Sequence, residues 1–341
     1  MTRRPPADQI GLFPEALPAP GEGAPRPVAA APAGEEEAAV AAALPAGLWL
    51  GTSSWSFPGW AGIVWERAET QTRLARHGLP AYAQHPLLNA VGIDRSYYQP
   101  LAAGEYAAYA ADVPRDFRFV VKAHEGLTVR RWPDHDRYGA RRNQPNPRFL
   151  DAAWAAEAVV APFVEGLGEK AGPLVFQFAP QDLGAVDPFL DDLYRFLDKL
   201  PKGPVYALEL RNREVLTERY GRMLEAAGAV HCVNRHPRMP EVAEQAAAVG
   251  EVGRRPFVCR WMLRPGLTYR GGYRRYHPFN KLVDEDLDTR GALAEAALAS
   301  TAAGQPVFVT ANNKAEGCAP LTLFRLAAEV AARRREAPPA R

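Results

Sequence analysis

The sequence has few cysteines, and they form no pattern typical of a disulfide framework or a metal site. The three, Cys232, Cys259 and Cys318, are widely separated and odd in number. Such a set argues against disulfide pairing and fits a reducing cytoplasm. Cys232 and Cys259 lie in apolar runs, where a cysteine is typical of a small core residue.

Long apolar runs and a strong charge of one sign are also lacking. No apolar run approaches the ~18 residues that a membrane span requires. The alanine-rich segment 38–46 follows three glutamates, the wrong charge for the start of a signal peptide. The formal net charge of +2 is too small to indicate a polyanionic partner. We therefore expect a cytoplasmic protein that recognises its ligands through local clusters.

The N-terminal residues 1–44 have almost no aromatic side chains and too little apolar surface to build a core. They are rich in Pro, Ala, Gly and Glu, and we predict that they are disordered, as are residues 336–341. One apolar pentapeptide, Gln9-Ile10-Gly11-Leu12-Phe13, interrupts the tail. It resembles the Gln-x-x-Leu-Phe peptides that dock bacterial proteins to the DNA sliding clamp. Gln9, Leu12 and Phe13 are the candidate partner-binding residues; a chance apolar segment, or one packing on its own domain, is the alternative.

From residue 45 to residue 335 the pattern changes to β-rich runs, each followed by a helix-like stretch. The eight runs are 48–53, 89–94, 117–122, 174–178, 205–210, 229–234, 256–260 and 307–311. Alternating strands and helices predict a parallel sheet with crossover helices. Eight units favour a single α/β domain, a (β/α)₈ TIM-type barrel, over an open doubly wound sheet. No Gly-x-Gly-x-x-Gly follows the first run, which argues against dinucleotide binding.

Polar residues recur at the end of every run. On the faces that would point into the barrel, small and apolar side chains give way to polar ones at the carboxyl end. The predicted site residues there are Gly51, Ser53, Trp55, Asp94, Lys122, Gln177, Glu209, Arg211, Asn234, Arg260, Asn312 and Asn313. We predict that they share one polar opening.

The charges of this opening indicate an anionic ligand. Lys122, Arg211 and Arg260 outnumber Asp94 and Glu209, and cations with amides suit a phosphate or carboxylate. The predicted catalytic residues are Glu209 as general acid/base, Lys122 as a charge stabiliser or nucleophile, and Asp94. Structural ion pairing is the alternative for each of them.

A metal site is the competing hypothesis. His124, His231, Asp94 and Glu209 are its candidate ligands, but no His-x-x-x-His or His-x-Glu pair occurs among them. We therefore predict no cofactor and keep a divalent metal as the alternative.

Two long connections, 124–147 and 262–281, follow predicted strands and carry arginines interleaved with aromatic residues. Loops of this length often serve as lids or binding loops. Their composition suits nucleic-acid binding or a lid over a phosphorylated substrate, and a solvated loop without a ligand is the alternative.

Several motifs together resemble one family. They are Gly-Thr-Ser-Ser-Trp-Ser-Phe at 51–57, Val-Gly-Ile-Asp-Arg-Ser-Tyr-Tyr at 91–98, Phe-Val-Val-Lys-Ala at 119–123, Gln-Phe-Ala-Pro at 177–180, Leu-Glu-Leu-Arg at 208–211 and Ala-Asn-Asn at 311–313. In this order they resemble the YecE-like family, domain of unknown function 72, over about residues 48–330. The resemblance implies a TIM-barrel-like fold and no established activity, substrate or cofactor. Gly92, Asn212 and Asn234 depart from the family's usual residues, which bears on whether the family's chemistry is retained.

The functional prediction is an enzyme of hydrolase, lyase or isomerase type, acting on a phosphate-bearing or other anionic substrate at the barrel mouth. The alternative is a nucleic-acid-associated binding protein or nuclease, tethered to the sliding clamp by its tail. A third hypothesis is a sensor barrel that binds a metabolite without converting it.

Overall fold

The structure is a computed structural model that describes residues 26–336. Its eight strands are Leu48–Thr52 (β1), Ala90–Ile93 (β2), Arg118–Lys122 (β3), Ala171–Phe178 (β4), Tyr206–Leu210 (β5), Val230–Arg235 (β6), Phe257–Trp261 (β7) and Val307–Ala311 (β8). All neighbours pair in parallel, and β8 pairs with β1, so the sheet closes into a barrel. The predicted (β/α)₈ class is confirmed, and the open sheet is excluded.

Helices connect the strands on the outside of the barrel. The α-helices of the described residues are Glu35–Ala43 (α1), Gln71–His77 (α2), Leu79–Tyr82 (α3), Ala103–Ala111 (α4), Ala152–Ala155 (α5), Ala161–Leu167 (α6), Val186–Asp198 (α7), Glu218–Ala227 (α8), Val242–Val249 (α9), Tyr269–Tyr276 (α10), Leu287–Ala302 (α11) and Ala319–Glu336 (α12). A π-helical turn over Ala156–Val160 joins α5 to α6. No helix among the described residues combines the length and the apolar character needed to cross a bilayer.

The alternation of side chains along each strand separates two cores. Outward-facing strand residues pack with the helices in one large cluster. Inward-facing residues form a smaller cluster inside the barrel: Val120, Val175, Ala207, Val230, Cys232, Val258 and Phe308. Trp49 stacks on Phe308 with ring centres 4.9 Å apart, towards the amino end of the barrel. On the same inward faces, the residues nearer the carboxyl end of the barrel are polar.

The segment 26–44, assigned to the disordered tail by its composition, is ordered in the structure. Ala31 donates a backbone hydrogen bond to Val64 across 2.9 Å, and Val28 is buried. Helix α1 lies against α12, where Arg334 donates to the carbonyl oxygens of Ala43 and Leu44. The segment needs no core of its own because it packs on apolar surface that the barrel already provides. Gln9, Leu12 and Phe13 lie outside the described residues.

The connection 262–281 also differs from the expectation of an irregular loop, because it contains helix α10. Thr268 caps this helix by accepting a hydrogen bond from the Gly271 amide. Two successive glycines give the stretch the appearance of a loop. Gly272 is buried, however, and a Cβ there would lie only 3.3 Å from Leu263 and 3.4 Å from Lys314. The glycine lets α10 pack closely on the barrel.

Candidate active site

The carboxyl ends of four strands bring buried charged and polar side chains into one cluster, which we call the mouth. Lys122 ends β3, Gln177 lies at the end of β4, Glu209 on β5 and Arg260 on β7; all four are less than one tenth exposed. Their inward orientation continues the alternation of the apolar residues before them. Asp94 after β2 and Arg211 after β5 complete the mouth. The predicted convergence of these six residues is present in the structure.

Glu209 is the centre of the mouth. It is fully buried, and Arg211 donates to its Oε1 through Nε at 3.1 Å and Nη2 at 2.7 Å, while Arg260 Nη1 donates to its Oε2. Burial by itself would raise the pKa of Glu209, but Arg260, Arg211 and Lys122 outweigh burial and lower the pKa to about 2. The carboxylate is therefore ionised at neutral pH, with both oxygens occupied. This geometry suits an anchor for two arginines better than the acid/base role predicted from the sequence.

The guanidinium of Arg260 links β7 to side chains on β4 and β5 and to Asp94 after β2. Its Nη1 also donates to Gln177 Oε1 at 2.9 Å, and its Nη2 donates to Asp94 Oδ1 at 3.4 Å. Burial would lower the pKa of Arg260, but Glu209 and Asp94 outweigh it and raise the pKa. The group is a permanent cation with fixed geometry.

Lys122 and Arg260 lie on opposite sides of the Asp94 carboxylate. Its Nζ is 3.8 Å from Asp94 Oδ2 and 4.2 Å from the centre of the Tyr97 ring. Burial lowers the pKa of Lys122 to about 8, with Arg260 adding to the effect and Asp94 opposing it. An amine with this pKa exchanges its proton near neutral pH, which Glu209 does not.

Several hydrogen-bond donors of the mouth have no acceptor within residues 26–336. They are Lys122 Nζ, Gln177 Nε2 and Arg211 Nη1. Three cations against the carboxylates of Asp94 and Glu209 leave one excess positive charge. Unused donors with excess positive charge have the chemistry that suits an anionic group.

Two side chains beside Arg260 carry unpartnered oxygens. Asn234 and Thr310 are its direct neighbours on β6 and β8. Asn234 Nδ2 donates to the Leu210 carbonyl at 2.9 Å, but neither its Oδ1 nor Thr310 Oγ1 has a partner in the structure, although both are buried. Asn234 thus lies where the sequence predicted, next to the mouth.

Four predicted site residues have structural contacts instead. Asn313 Oδ1 accepts from Trp60 Nε1 at 3.1 Å and from the Ala319 amide at 2.8 Å, which fixes the start of α12. Asn312 Oδ1 accepts from the Lys314 amide. Ser53 Oγ donates to the Ala311 carbonyl. Trp55 packs edge-on against the ring of Tyr109 in the outer core.

Glycine is required at position 51 by the packing of two strands, whereas the sequence predicted the close approach of a ligand. A Cβ at Gly51 would lie 2.1 Å from the Ala90 carbonyl oxygen, and one at Gly92 would lie 2.8 Å from the Ser53 carbonyl oxygen. Both glycines are required because β1 and β2 approach closely.

The residues of the metal hypothesis are not assembled around an ion. His231 lies on the outer face of β6, within reach of Tyr220 and Gln245, and His124 Nδ1 accepts from the Gly126 amide at 2.9 Å. Among the described residues, no three His, Cys, Asp or Glu side chains are placed to share a metal.

The connection 124–147 is an ordered flap beside the mouth. Val129, Trp132 and Tyr138 form a small hydrophobic cluster of their own. Buried Asn146 ties the flap together by donating to the carbonyl oxygens of Gly126 at 2.7 Å and Val129 at 2.6 Å. The arginines of this connection therefore belong to an ordered segment, not to an irregular loop.

Tyr97 and Lys314 are not among the site residues predicted from the sequence. Tyr97 provides the ring beside Lys122, and Lys314 is a buried lysine just after β8. Lys314 directly follows the Ala-Asn-Asn motif, so the reasoning applied to the other strand ends would have reached it. Two surface grooves of about 230 and 250 Å³ lie elsewhere, between α8 and α9 and between α7 and α8.

Comparisons with known proteins agree with the fold. The profile of the family described as "Protein of unknown function DUF72" matches residues 49–341. A DUF72 family protein from Enterococcus faecalis V583 has a TM-score of 0.56 and 18% identity, over 83% of this chain and 95% of its own. One from Thermotoga maritima MSB8 has a TM-score of 0.52 and 17% identity, over 82% of this chain and 97% of its own. No curated protein matches the chain.

Proposed function

Since this chain belongs to the DUF72 family, described as proteins of unknown function, we propose a function from the mouth itself: an enzyme that transfers protons on a phosphate-bearing or other anionic substrate. The observation that carries the proposal is a buried, titratable lysine beside unused donors and two arginines anchored on one carboxylate. Isomerases, lyases and hydrolases share this chemistry.

The anionic group of the substrate is assigned to Lys122, Gln177 and Arg211. Arg211 Nη1 and Gln177 Nε2 are donors without an acceptor among residues 26–336, and Lys122 adds a charge. Glu209 holds Arg211 and Arg260 so that neither guanidinium has to reorganise when the anion binds. Preorganised donors of this kind stabilise negative charge that develops in a reaction.

Proton transfer is assigned to Lys122, with Asp94 as its partner. The Lys122 ammonium that binds the anion first gives a proton to the substrate, and the neutral amine then takes a proton from a carbon, a hydroxyl or a water held against the substrate. The ammonium that forms is stabilised by Asp94, whose Oδ2 is 3.8 Å away. The proton taken back restores the ammonium, so no external oxidant or reductant is needed. We propose no metal or organic cofactor for this step.

A thermal-shift screen of phosphorylated metabolites and carboxylic acids tests the proposal, because a ligand that binds the folded state raises Tm. For the ligand found, Arg211→Met should weaken binding by about tenfold or more, since a charge-assisted hydrogen bond contributes about 1.5–3 kcal/mol. Lys122→Met should abolish turnover and weaken binding less.

Lys281→Met is the matched control, because Lys281 is exposed outside the mouth. A ligand whose binding and conversion survive both Arg211→Met and Lys122→Met would rule out this site.

A second candidate function, binding of single-stranded nucleic acid, is favoured by the exposed tyrosines Tyr98, Tyr269 and Tyr273. Each is close to half exposed, and Tyr269 and Tyr273 share α10 with three arginines. Aromatic rings interleaved with cations stack bases and pair phosphates. The test is fluorescence anisotropy of labelled single-stranded DNA and RNA oligonucleotides. Tyr269→Ala/Tyr273→Ala should reduce affinity, and Tyr194→Ala, which alters an exposed tyrosine on α7, should not.

A further inference from the structure

Lys314 is a buried cation without a counter-ion among residues 26–336. Its side chain is 4% exposed, and no Asp or Glu oxygen of the described residues lies within 4.0 Å of its ammonium. The ammonium instead lies 3.9 Å from the centre of the Tyr269 ring and 5.7 Å from that of Phe279. Burial lowers the pKa of Lys314 to about 8, and no neighbouring charge opposes this effect.

The position of Lys314 is fixed by its backbone and its stem. The Lys314 amide donates to Asn312 Oδ1 at 3.0 Å, and its carbonyl accepts from the Arg264 amide at 3.1 Å. Gly272 of α10 packs against its Cβ and Cγ. The stem is thus held between β8 and α10, and the amine is directed to the face of Tyr269.

Lys314 and the mouth share the carboxyl end of the barrel. Partial burial, together with the nearby Tyr98 and Asp94, raises the pKa of Tyr269 to about 12. Asp94, the carboxylate beside Lys122, follows β2, and Lys314 follows β8 at the same edge of the barrel. Both amines therefore belong to the same end of the barrel.

The aromatic rings compensate only part of the cost of burying this charge. A cation–π contact offsets less free energy than desolvating an ammonium costs. Buried charges in folded proteins are normally paired. An anionic ligand would complete the pairing that the described residues leave open.

We propose that Lys314 forms a second anion subsite, so that the substrate carries two anionic groups. One group lies against Lys122, Gln177 and Arg211, the other against Lys314, with the Tyr269 ring alongside the segment that joins them. A phosphorylated carboxylic acid and a bisphosphate are the substrate classes that fit. This inference rests on the proposed function of the mouth.

The first test measures protection of Lys314 in the wild-type chain. The protein is methylated with formaldehyde and cyanoborohydride, with and without inorganic phosphate, and modification is quantified at each lysine by mass spectrometry. Phosphate should slow modification of Lys122 and Lys314 by about tenfold, the effect of one charge-assisted contact. Exposed Lys202 is the internal reference, and chloride at equal ionic strength is the control for screening. Acetate in place of phosphate distinguishes a carboxylate from a phosphate subsite.

The second test is the stoichiometry of phosphate binding. The wild type should bind two phosphates per chain and Lys314→Met one, because methionine keeps the stem that packs on Gly272 and removes the charge. Lys281→Met should still bind two.

The outcomes separate the two proposals. Protection of Lys122 without protection of Lys314, or two phosphates bound by Lys314→Met, overturns the second subsite and leaves the first standing. Absence of phosphate protection at both lysines contradicts the proposed function as well.

Discussion

At the scale of single residues, the mouth is controlled by which buried charges are paired. Glu209 and Arg260 are almost inaccessible to solvent and satisfy each other, together with Arg211, Gln177 and Asp94. Such a network is stable as a set, because removing one member leaves the others buried and uncompensated. In the proposed function, this network makes Glu209 an anchor, and proton transfer is assigned to Lys122.

Glu209→Gln should therefore lower the free energy of unfolding by about 3–5 kcal/mol, the range for breaking a buried ion pair. Urea unfolding monitored by tryptophan fluorescence measures this loss. Glu218→Gln is the control, because the Glu218 side chain is 91% exposed and pairs only at the surface of α8. Equal stability of Glu209→Gln and Glu218→Gln would contradict the anchoring role.

The two buried lysines predict a pH dependence of stability. Burial lowers the pKa of Lys122 and of Lys314 from 10.5 to about 8. Between these two values the unfolded chain binds more protons than the folded chain, so the contribution of each lysine to stability increases as the pH rises. From pH 8 to pH 10, the unfolding free energy of the wild type should rise relative to Lys122→Met/Lys314→Met. Parallel curves for the two proteins would show that these amines titrate normally.

At the scale of secondary-structure elements, the connections differ more from the predictions than the strands do. All eight predicted β-rich runs overlap strands of the barrel. The connections contain an ordered flap at 124–147 and helix α10, which depend on contacts such as those of Asn146 and Gly272. A local pattern rich in glycine, arginine and proline does not specify such contacts.

Asn146→Ala should loosen the flap, because Asn146 supplies two hydrogen bonds to buried carbonyl oxygens. Each carbonyl left unpaired costs about 1–3 kcal/mol. Limited trypsin digestion should then cleave at the arginines between residues 130 and 142 faster than in the wild type, with the cuts mapped by mass spectrometry. Gln144→Ala, at an exposed flap position whose side chain makes no hydrogen bond among the described residues, should be cleaved at the wild-type rate.

At the scale of the whole molecule, closure of the sheet brings together residues that are far apart in the chain. Asp94 and Arg260 are separated by 166 positions, and their side chains meet at 3.4 Å. The first strand must pair with the eighth for this to happen. The segment 26–44 and α12 then pack over the outside next to that closure.

The clamp-docking hypothesis concerns the full chain and remains a proposal, because Gln9, Leu12 and Phe13 lie outside the described residues. The full-length protein should be retained by an immobilised bacterial sliding clamp. Leu12→Ala/Phe13→Ala, and a chain beginning at residue 26, should not be retained, because the two apolar anchors are removed. Equal capture of all three proteins, or of none, would discard the tether.

The fold class and most of the mouth could be predicted from the spacing of residues along the chain. Strand periodicity places Lys122, Gln177, Glu209, Arg211 and Arg260 on inward faces at strand ends, and parallel strands of a closed barrel bring such ends to one opening. The contacts of these side chains could not be predicted in this way. Neighbours from other strands and burial determine the state of each side chain. They place two arginines on the Glu209 carboxylate, and they place the Asn313 oxygen on Trp60. These contacts form, and shift a pKa or satisfy a donor, only when the barrel closes. The spacing of residues along the sequence does not specify them.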